Sequence, residues 1–129
     1  MFGSDIIRIK IKGYLKNITE KEEFNFEEKG IKTKDKITFI SNDVKYTIKY
    51  TNSEVLLLRE GKDFINTFIF NKKNSKSNYL LKENNYDIDM EVKVSTLEVK
   101  DTYIYIEYEI ISTSCKYKFK IEMSEILWV

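Results

Sequence analysis

The chain contains no histidine, and this absence limits the chemistry that its side chains can perform. Histidine is the commonest general base near neutral pH and the commonest metal ligand. Neither a Ser-His nor a Cys-His nucleophile pair can be built without it. A metal site would have to rely on carboxylate oxygens, which suit Mg²⁺ or Ca²⁺ better than Zn²⁺. We therefore predict no catalytic residue, no metal site and no cofactor, and favour a non-enzymatic protein.

Three carboxylates share one face of a predicted strand, because Asp87, Asp89 and Glu91 occur at every second position. The residues between them, Ile88 and Met90, are apolar. This alternation is typical of a strand with one solvated face and one buried face. We interpret the three carboxylates as a solvated outer face rather than as metal ligands or catalytic acids.

Cys115 is the only cysteine, so no internal disulfide can form, and we expect a reducing, cytoplasmic location. Lys116 follows it, and a cationic neighbour favours the reactive thiolate. A passive small residue is the interpretation that we favour, with a reactive thiol as the alternative.

Arg59 is one of only two arginines in a chain that has twenty lysines. Arginine is favoured over lysine where contacts must be planar, bidentate or stacked. Two structural roles are open to it, capping carbonyl groups at the end of a strand or stacking on an aromatic ring such as that of Trp128. The functional alternative is that Arg59 binds the carboxylate of a ligand.

A basic stripe follows the last predicted strand and raises the possibility of nucleic-acid binding. Lys116, Lys118 and Lys120 share one face of that strand, and outward Tyr103 and Tyr105 would supply stacking groups for single-stranded nucleic acid. Cross-strand pairing with glutamates explains the same lysines without any partner. The net charge is only +1, so nucleic-acid binding is the alternative and not the leading hypothesis.

The elements that would position these residues are β-strands. Thr, Val, Ile, Tyr, Phe and Trp make up 51 of the 129 residues, and alanine, the best helix former, is absent. Apolar and polar residues alternate along most of the chain, and short turns rich in Asn, Asp and Gly connect the alternating segments. Short turns favour antiparallel pairing, and closure of the sheet removes its unpaired edges. The sequence thus predicts an all-β, antiparallel up-and-down barrel of about eight to ten strands.

The chain shows no linker or internal repeat, so we expect a single domain over 1–129 with an ordered core from about residue 5 to about residue 123. The polar stretch 71–78 is predicted to be one hairpin loop, and the segments 87–94 and 97–99 are predicted to be two separate strands. Only two isoleucines precede Arg8, and no apolar run is long enough to span a bilayer, so neither a signal peptide nor membrane association is expected.

The alternation also predicts which side chains point into the barrel. We assign to this inward set Ile7, Ile9, Ile11, Tyr46, Ile48, Ile88, Met90, Val92, Ile104, Ile106, Tyr108, Phe119 and Ile121. Barrels of this size are either filled by such side chains or hold one small ligand, and the bulky residues favour a filled interior. A ligand cavity, if present, is expected to be lined by Tyr46, Met90 and Tyr108.

The segment 64–70 is apolar on both faces, and one of these faces needs a cover. A homodimer contact through Phe64, Phe68 and Phe70 is one hypothesis. Folding back of the terminal residues 126–129 over this segment is the alternative.

The segment 53–61, in which an apolar strand ends on Arg59, one further residue and Gly61, resembles a segment of the YwiB-like family of small bacterial proteins. The order of the strands around it is also similar, from the strand 44–50 to the last strand at 116–123. The resemblance covers about residues 6–123 and implies a lipocalin-like (calycin-type) β-barrel. It implies no activity, because the activity of the family is not established.

These observations lead to two main functional hypotheses, and an enzyme that uses carboxylates or Cys115 is the third. The leading one is a non-enzymatic barrel that binds a small apolar or amphipathic ligand through Arg59, Tyr46, Tyr108 and Met90, or that acts through a protein partner. It depends on analogy with lipocalin-like folds. The alternative is a barrel that binds single-stranded nucleic acid on its outer Lys and Tyr face.

Overall fold

The computed structural model describes residues 6–126, and ten β-strands with short connections account for this range. The strands are β1 (Ile7–Asn17), β2 (Glu22–Lys32), β3 (Lys36–Ser41), β4 (Val44–Tyr50), β5 (Val55–Glu60), β6 (Phe64–Phe70), β7 (Ser75–Leu81), β8 (Tyr86–Val99), β9 (Tyr103–Ile110) and β10 (Cys115–Glu125). Since residues 6–126 contain no helix, none that is long and apolar enough to cross a membrane occurs there.

Each strand pairs with its neighbours in the chain, and the barrel closes where β1 pairs with β10. All the pairs are antiparallel, as expected for strands joined by short turns. The prediction of an all-β, antiparallel up-and-down barrel is confirmed, with ten strands at the upper end of the predicted number.

Two predicted boundaries were wrong. β7 begins at Ser75, within the stretch predicted to be a loop, because Ser75 and Ser77 are buried between the neighbouring strands β6 and β8. Leu97 lies on the same strand as Val92, although the sequence predicted two strands there. An irregularity in the pairing between Val94 and Thr96 lets this long strand continue.

The interior differs between the two ends of the barrel. We call the end with the β1–β2, β3–β4, β5–β6, β7–β8 and β9–β10 turns the open end, and the opposite end the closed end. Toward the closed end, aliphatic side chains with no exposed surface fill the interior. They are Ile11, Ile37, Ile48, Val55, Ile104, Ile106 and Ile121.

Toward the open end, the interior is lined by aromatic rings. The rings of Phe26, Phe39 and Tyr46 are stacked, with 4.7 Å between the centroids of Phe39 and Tyr46. On another part of the wall the rings of Tyr108 and Tyr117 are stacked, with centroids 5.1 Å apart. Each of these rings packs against its neighbour along the wall. They therefore do not have to extend to the centre of the barrel to be in contact.

Ten of the thirteen residues predicted to point inward are buried, and three are not. Ile7 and Ile88 are 36% and 37% exposed, and Met90 is half-buried. Ile88 lies where β7 is the only described neighbour of β8, because β9 joins β8 from Val92 onward, and Ile7 is the first residue of β1. A strand with one neighbour leaves its inward face partly uncovered.

The residues proposed for a dimer contact lie on the inward face of β6. Phe68 and Phe70 are buried in the core, and Phe64 is half-buried against the ring of Tyr79. That choice of residues is therefore corrected, because a contact through β6 would have to use the outward Ile65 and Ile69. The alternative cover, residues 126–129, lies outside the described residues from Leu127 onward.

Candidate functional site

At the open end, β2 extends beyond the turn between β3 and β4. β2 pairs with β3 only at Gly30, Ile31 and Lys32, although it continues along β1 to Glu22. In the same register the last residue of β3, Ser41, would lie opposite Glu28, so the rest of β2 extends beyond the end of β3. The tight turn at 42–43, with both residues at positive φ, leaves a notch in the barrel wall beside β2.

A cavity of about 450 Å³ lies in the open end below this notch. Eight of its lining residues are aromatic, one is charged, and most of the remainder are aliphatic. The lining consists of Leu15, Phe24, Phe26, Ser41, Asn42, Val44, Tyr46, Leu57, Arg59, Phe68, Phe70, Tyr108, Ile110, Tyr117 and Phe119. Small-molecule sites typically have this size and combine an apolar lining with a few polar groups.

Within residues 6–126, Arg59 is the only charged residue that lines the cavity. It is half-buried near the end of β5, and its guanidinium carbon lies 5.5 Å from the ring centroid of Tyr46 and 5.6 Å from that of Phe64. Its Nη1 donates a hydrogen bond to Oδ1 of Asn66, at 3.1 Å. None of the three ion pairs found within residues 6–126 involves Arg59, so its charge is held by rings and an amide.

Asn66, which holds Arg59, is only 3% exposed and lies opposite it on β6. Its Nδ2 donates to the carbonyl oxygen of Asn78 at 3.0 Å and to Oγ of Ser77 at 3.4 Å. The carbonyl of Asn78 can only accept, which fixes the amide so that its own oxygen faces the guanidinium. The orientation of Arg59 is therefore determined from within the core.

Two tyrosine hydroxyls add neutral polar groups to the cavity wall. Tyr46 and Tyr108 are 7% and 6% exposed, and neither hydroxyl bonds to a group within residues 6–126. Every fully buried polar side-chain atom in that range has a hydrogen-bond partner. Since these two hydroxyls have none, they are not fully buried and face open space. Burial raises the pKa of Tyr108, and the nearby charge of Arg59 opposes this rise only in part. The phenol of Tyr108 therefore stays protonated and can donate a hydrogen bond.

The structure brings together three of the four residues predicted to bind a ligand. Arg59, Tyr46 and Tyr108 line the same cavity, whereas Met90, which lies opposite Ser77 in the pairing of β7 with β8, does not belong to its lining. The predicted stacking of Arg59 on Trp128 cannot be described, because Trp128 lies outside residues 6–126. The rings of Tyr46 and Phe64 supply the stacking instead.

The predicted basic stripe alternates with acidic residues. Lys116 pairs in register with Glu109, and Lys118 with Glu107. Lys120 contacts both the ring of Tyr103, at 5.1 Å, and the carboxylate of Glu122, at 3.9 Å.

Tyr105, the second predicted stacking residue, donates a hydrogen bond to Glu107. Burial and then this hydrogen bond raise the pKa of Tyr105. The face thus carries adjacent opposite charges, and its tyrosine hydroxyls bond to glutamates rather than standing alone.

The other candidate groups lie apart from the cavity lining. The amide of Asn78 bonds to both Asp87 and Asp89 on the outer wall, and no three potential ligand side chains in the described range converge on a metal position. Cys115 is a buried free thiol whose Sγ lies 3.6 Å from a carboxylate oxygen of Glu20.

Sequence reasoning missed Asn66 and most of the aromatic wall. Asn66 occupies an inward position of β6 between Phe64 and Phe68, where a polar residue interrupts an otherwise aromatic face. That interruption was the available signal. Nothing comparable marks Phe26 or Phe39, because their place in the wall depends on which strands meet across the barrel.

The fold and the site together define a class of protein. It is a closed, ten-stranded antiparallel barrel with a mainly aromatic cavity at one end, which Arg59 and a few polar residues also line. No protein-family model and no curated protein matches the chain. Among solved structures, the chain is similar to the crystal structure of the ywiB protein from Bacillus subtilis, with a TM-score of 0.68 and 15% sequence identity. The alignment covers 95% of this chain and 93% of that chain. A likeness at this level of identity shows that the two proteins share a fold.

Proposed function

We propose that this barrel binds a small anionic, amphipathic molecule in its open-end cavity. Arg59 holds the anionic group, and the aromatic wall holds the apolar part. The observation that carries this proposal is an arginine with no carboxylate partner among residues 6–126, placed in the wall of an aromatic cavity.

Partial burial of such an arginine costs free energy unless an anion pairs with its charge. A half-buried charge loses part of its hydration, and a single neutral hydrogen bond restores little of that loss. The rings of Tyr46 and Phe64 interact with the guanidinium through their π-faces, which supplies roughly 0.5–2 kcal/mol for each contact. The remaining N–H groups suit a carboxylate, sulfonate or phosphate, which binds arginine through paired hydrogen bonds.

The size and position of the cavity support the same proposal. Its volume of about 450 Å³ suits a molecule of drug-like size. Arg59 lies toward the open end, whereas Phe70 lies deeper, near the aliphatic core. The apolar part of a ligand would therefore enter first, and its anionic group would remain near the rim.

Two further statements belong to the same proposal. The chain is a distant relative of the ywiB protein with a lipocalin-like barrel, which its strand order and length support. We also propose that the protein binds rather than catalyses and that it works in the cytoplasm, and the free thiol of Cys115 supports the reducing location. We do not favour single-stranded nucleic acid as the ligand, because glutamates pair in register with the lysines of the outer face.

The test compares two fluorescent probes that differ by one anionic group, anilinonaphthalene sulfonate and the neutral N-phenylnaphthylamine. We expect the sulfonate to bind with one-to-one stoichiometry and more tightly than the neutral probe. Arg59→Met should weaken sulfonate binding about 10- to 100-fold, the range expected for hydrogen bonds to a charged group, and leave the neutral probe unaffected.

Arg8→Met is the matched control, because it removes the same charge from an exposed position outside the cavity lining. It should change neither affinity. Equal weakening of sulfonate binding by the two substitutions would mean that overall charge, and not the cavity, attracts the anion. Wild-type protein that binds neither probe would overturn the proposed function.

A further inference from the structure

The identity of residue 66 determines whether the cavity carries a net charge. Asn66 is the hydrogen-bonding partner of Arg59 and is almost fully buried, so the group at this position decides how much of the guanidinium charge reaches the cavity. An amide orients arginine and leaves its charge intact. An aspartate of the same shape would orient it and also neutralise it.

We propose that Asn66 is a positioning residue that gives the cavity its preference for anionic ligands, an inference that rests on the proposed function. Its amide holds one edge of Arg59, and the rings of Tyr46 and Phe64 lie against the guanidinium. The other N–H groups are thereby left for a ligand.

The anchoring of Asn66 supports this role. Both of its Nδ2 hydrogens are used, one by the backbone carbonyl of Asn78 and one by Oγ of Ser77, so the amide cannot rotate without breaking two hydrogen bonds. The only acceptor that it can present to the cavity side is its own oxygen. The core therefore supplies a fixed neutral acceptor at the one place where a carboxylate would cancel the charge.

The ligand class follows from this arrangement. Asn66 orients one edge of the guanidinium, and no carboxylate within residues 6–126 pairs with its charge. This arrangement favours a ligand that has a compact oxyanion group attached to an apolar part. A neutral amphiphile of the same shape gains nothing from the uncompensated charge. Discrimination between these two classes depends on Asn66 as well as on Arg59.

The experiment measures the dissociation constants of anilinonaphthalene sulfonate and N-phenylnaphthylamine for wild type, Asn66→Asp and Asn66→Ala. Asn66→Asp should weaken sulfonate binding at least about tenfold, because an ion pair replaces a neutral hydrogen bond, and leave neutral binding within about twofold. Asn66→Ala keeps the charge of Arg59 but no longer orients its guanidinium. The ratio of sulfonate affinity to neutral-probe affinity in this variant should therefore fall between the ratios of wild type and Asn66→Asp.

The ratio of the two affinities separates a positioning role from a structural one, since a collapsed cavity would weaken both probes together. The new carboxylate would face the carbonyl of Asn78, and if Asn66→Asp fails to fold for that reason, Asn66→Ala decides the question alone. An unchanged ratio in the variants that fold, beside a wild type that prefers the sulfonate, would overturn this inference and leave the proposed function standing. A wild type that binds neither probe would overturn both.

Discussion

Alkaline pH should destabilise this protein through Tyr108. Its phenol is buried in the cavity wall, and burial raises its pKa above the ordinary value of 10.0. Below pH 10 the phenol is neutral in both the folded and the unfolded chain, so the full contribution to stability is present. Above pH 10 the unfolded chain loses this proton and the folded chain keeps it, which favours unfolding.

The expected magnitude follows from this proton balance. Each pH unit above 10 should remove about 1.4 kcal/mol from the free energy of unfolding, until the pH reaches the raised pKa of the folded protein. Tyr108→Phe removes the titrating group and retains the ring that packs against Phe68 and Phe70. The variant should therefore match wild type at pH 7–9 and exceed it by about 1.4 kcal/mol at pH 11.

Urea denaturation of both proteins at a series of pH values provides the measurement, with phenolate absorbance as an independent record of ionisation. Effects of other titrating groups cancel in the difference between the two proteins. If the two stability curves stay parallel from pH 9 to pH 11, Tyr108 ionises equally in both states. In that case its burial beside Arg59 is not as described.

Three further predictions concern packing. Gly13→Ala would place a Cβ atom 2.6 Å from the backbone oxygen of Lys120, so the free energy of unfolding should fall by about 1–3 kcal/mol, and an unchanged urea midpoint would contradict this. Ile106→Val in the fully buried core should cost about 0.5–1.5 kcal/mol, whereas the matched Ile40→Val, at a residue 62% exposed, should stay within about 0.5 kcal/mol. The thiol of Cys115 should react with a disulfide reagent much more slowly in the folded protein than in urea, and equal rates would show that it is accessible.

The fold could be predicted because alternation and short turns are local properties of the sequence. The segment 104–108 shows its inward and outward faces without any tertiary information, and consecutive pairing follows from the short connections. Prediction failed at Ser75 and Ser77, whose polar composition is typical of a loop. Both are buried in β7, where the strands on either side determine the structure against local propensity.

The site could be predicted only in part, for a different reason. Arg59 is conspicuous because arginine is rare in this chain, and Tyr46 and Tyr108 follow from alternation. The cavity itself depends on how rings from strands distant in the sequence pack against one another. Asn66 gains its importance only from the identity of the residue opposite it, which requires the register between β5 and β6.

The cavity in the open end exists because the two ends of the barrel contain side chains of different shapes. Isoleucine and valine side chains project into the closed end and fill it, whereas stacked rings lie along the wall of the open end. Gly13 makes this possible on one side, because a Cβ there would lie 2.5 Å from Cζ of Phe26 and would force that ring away from β1. With a side chain at position 13, the ring would have to move from its place beside β1. Gly13, which lies opposite Phe26, therefore helps to preserve the aromatic wall of the cavity that Arg59 also lines.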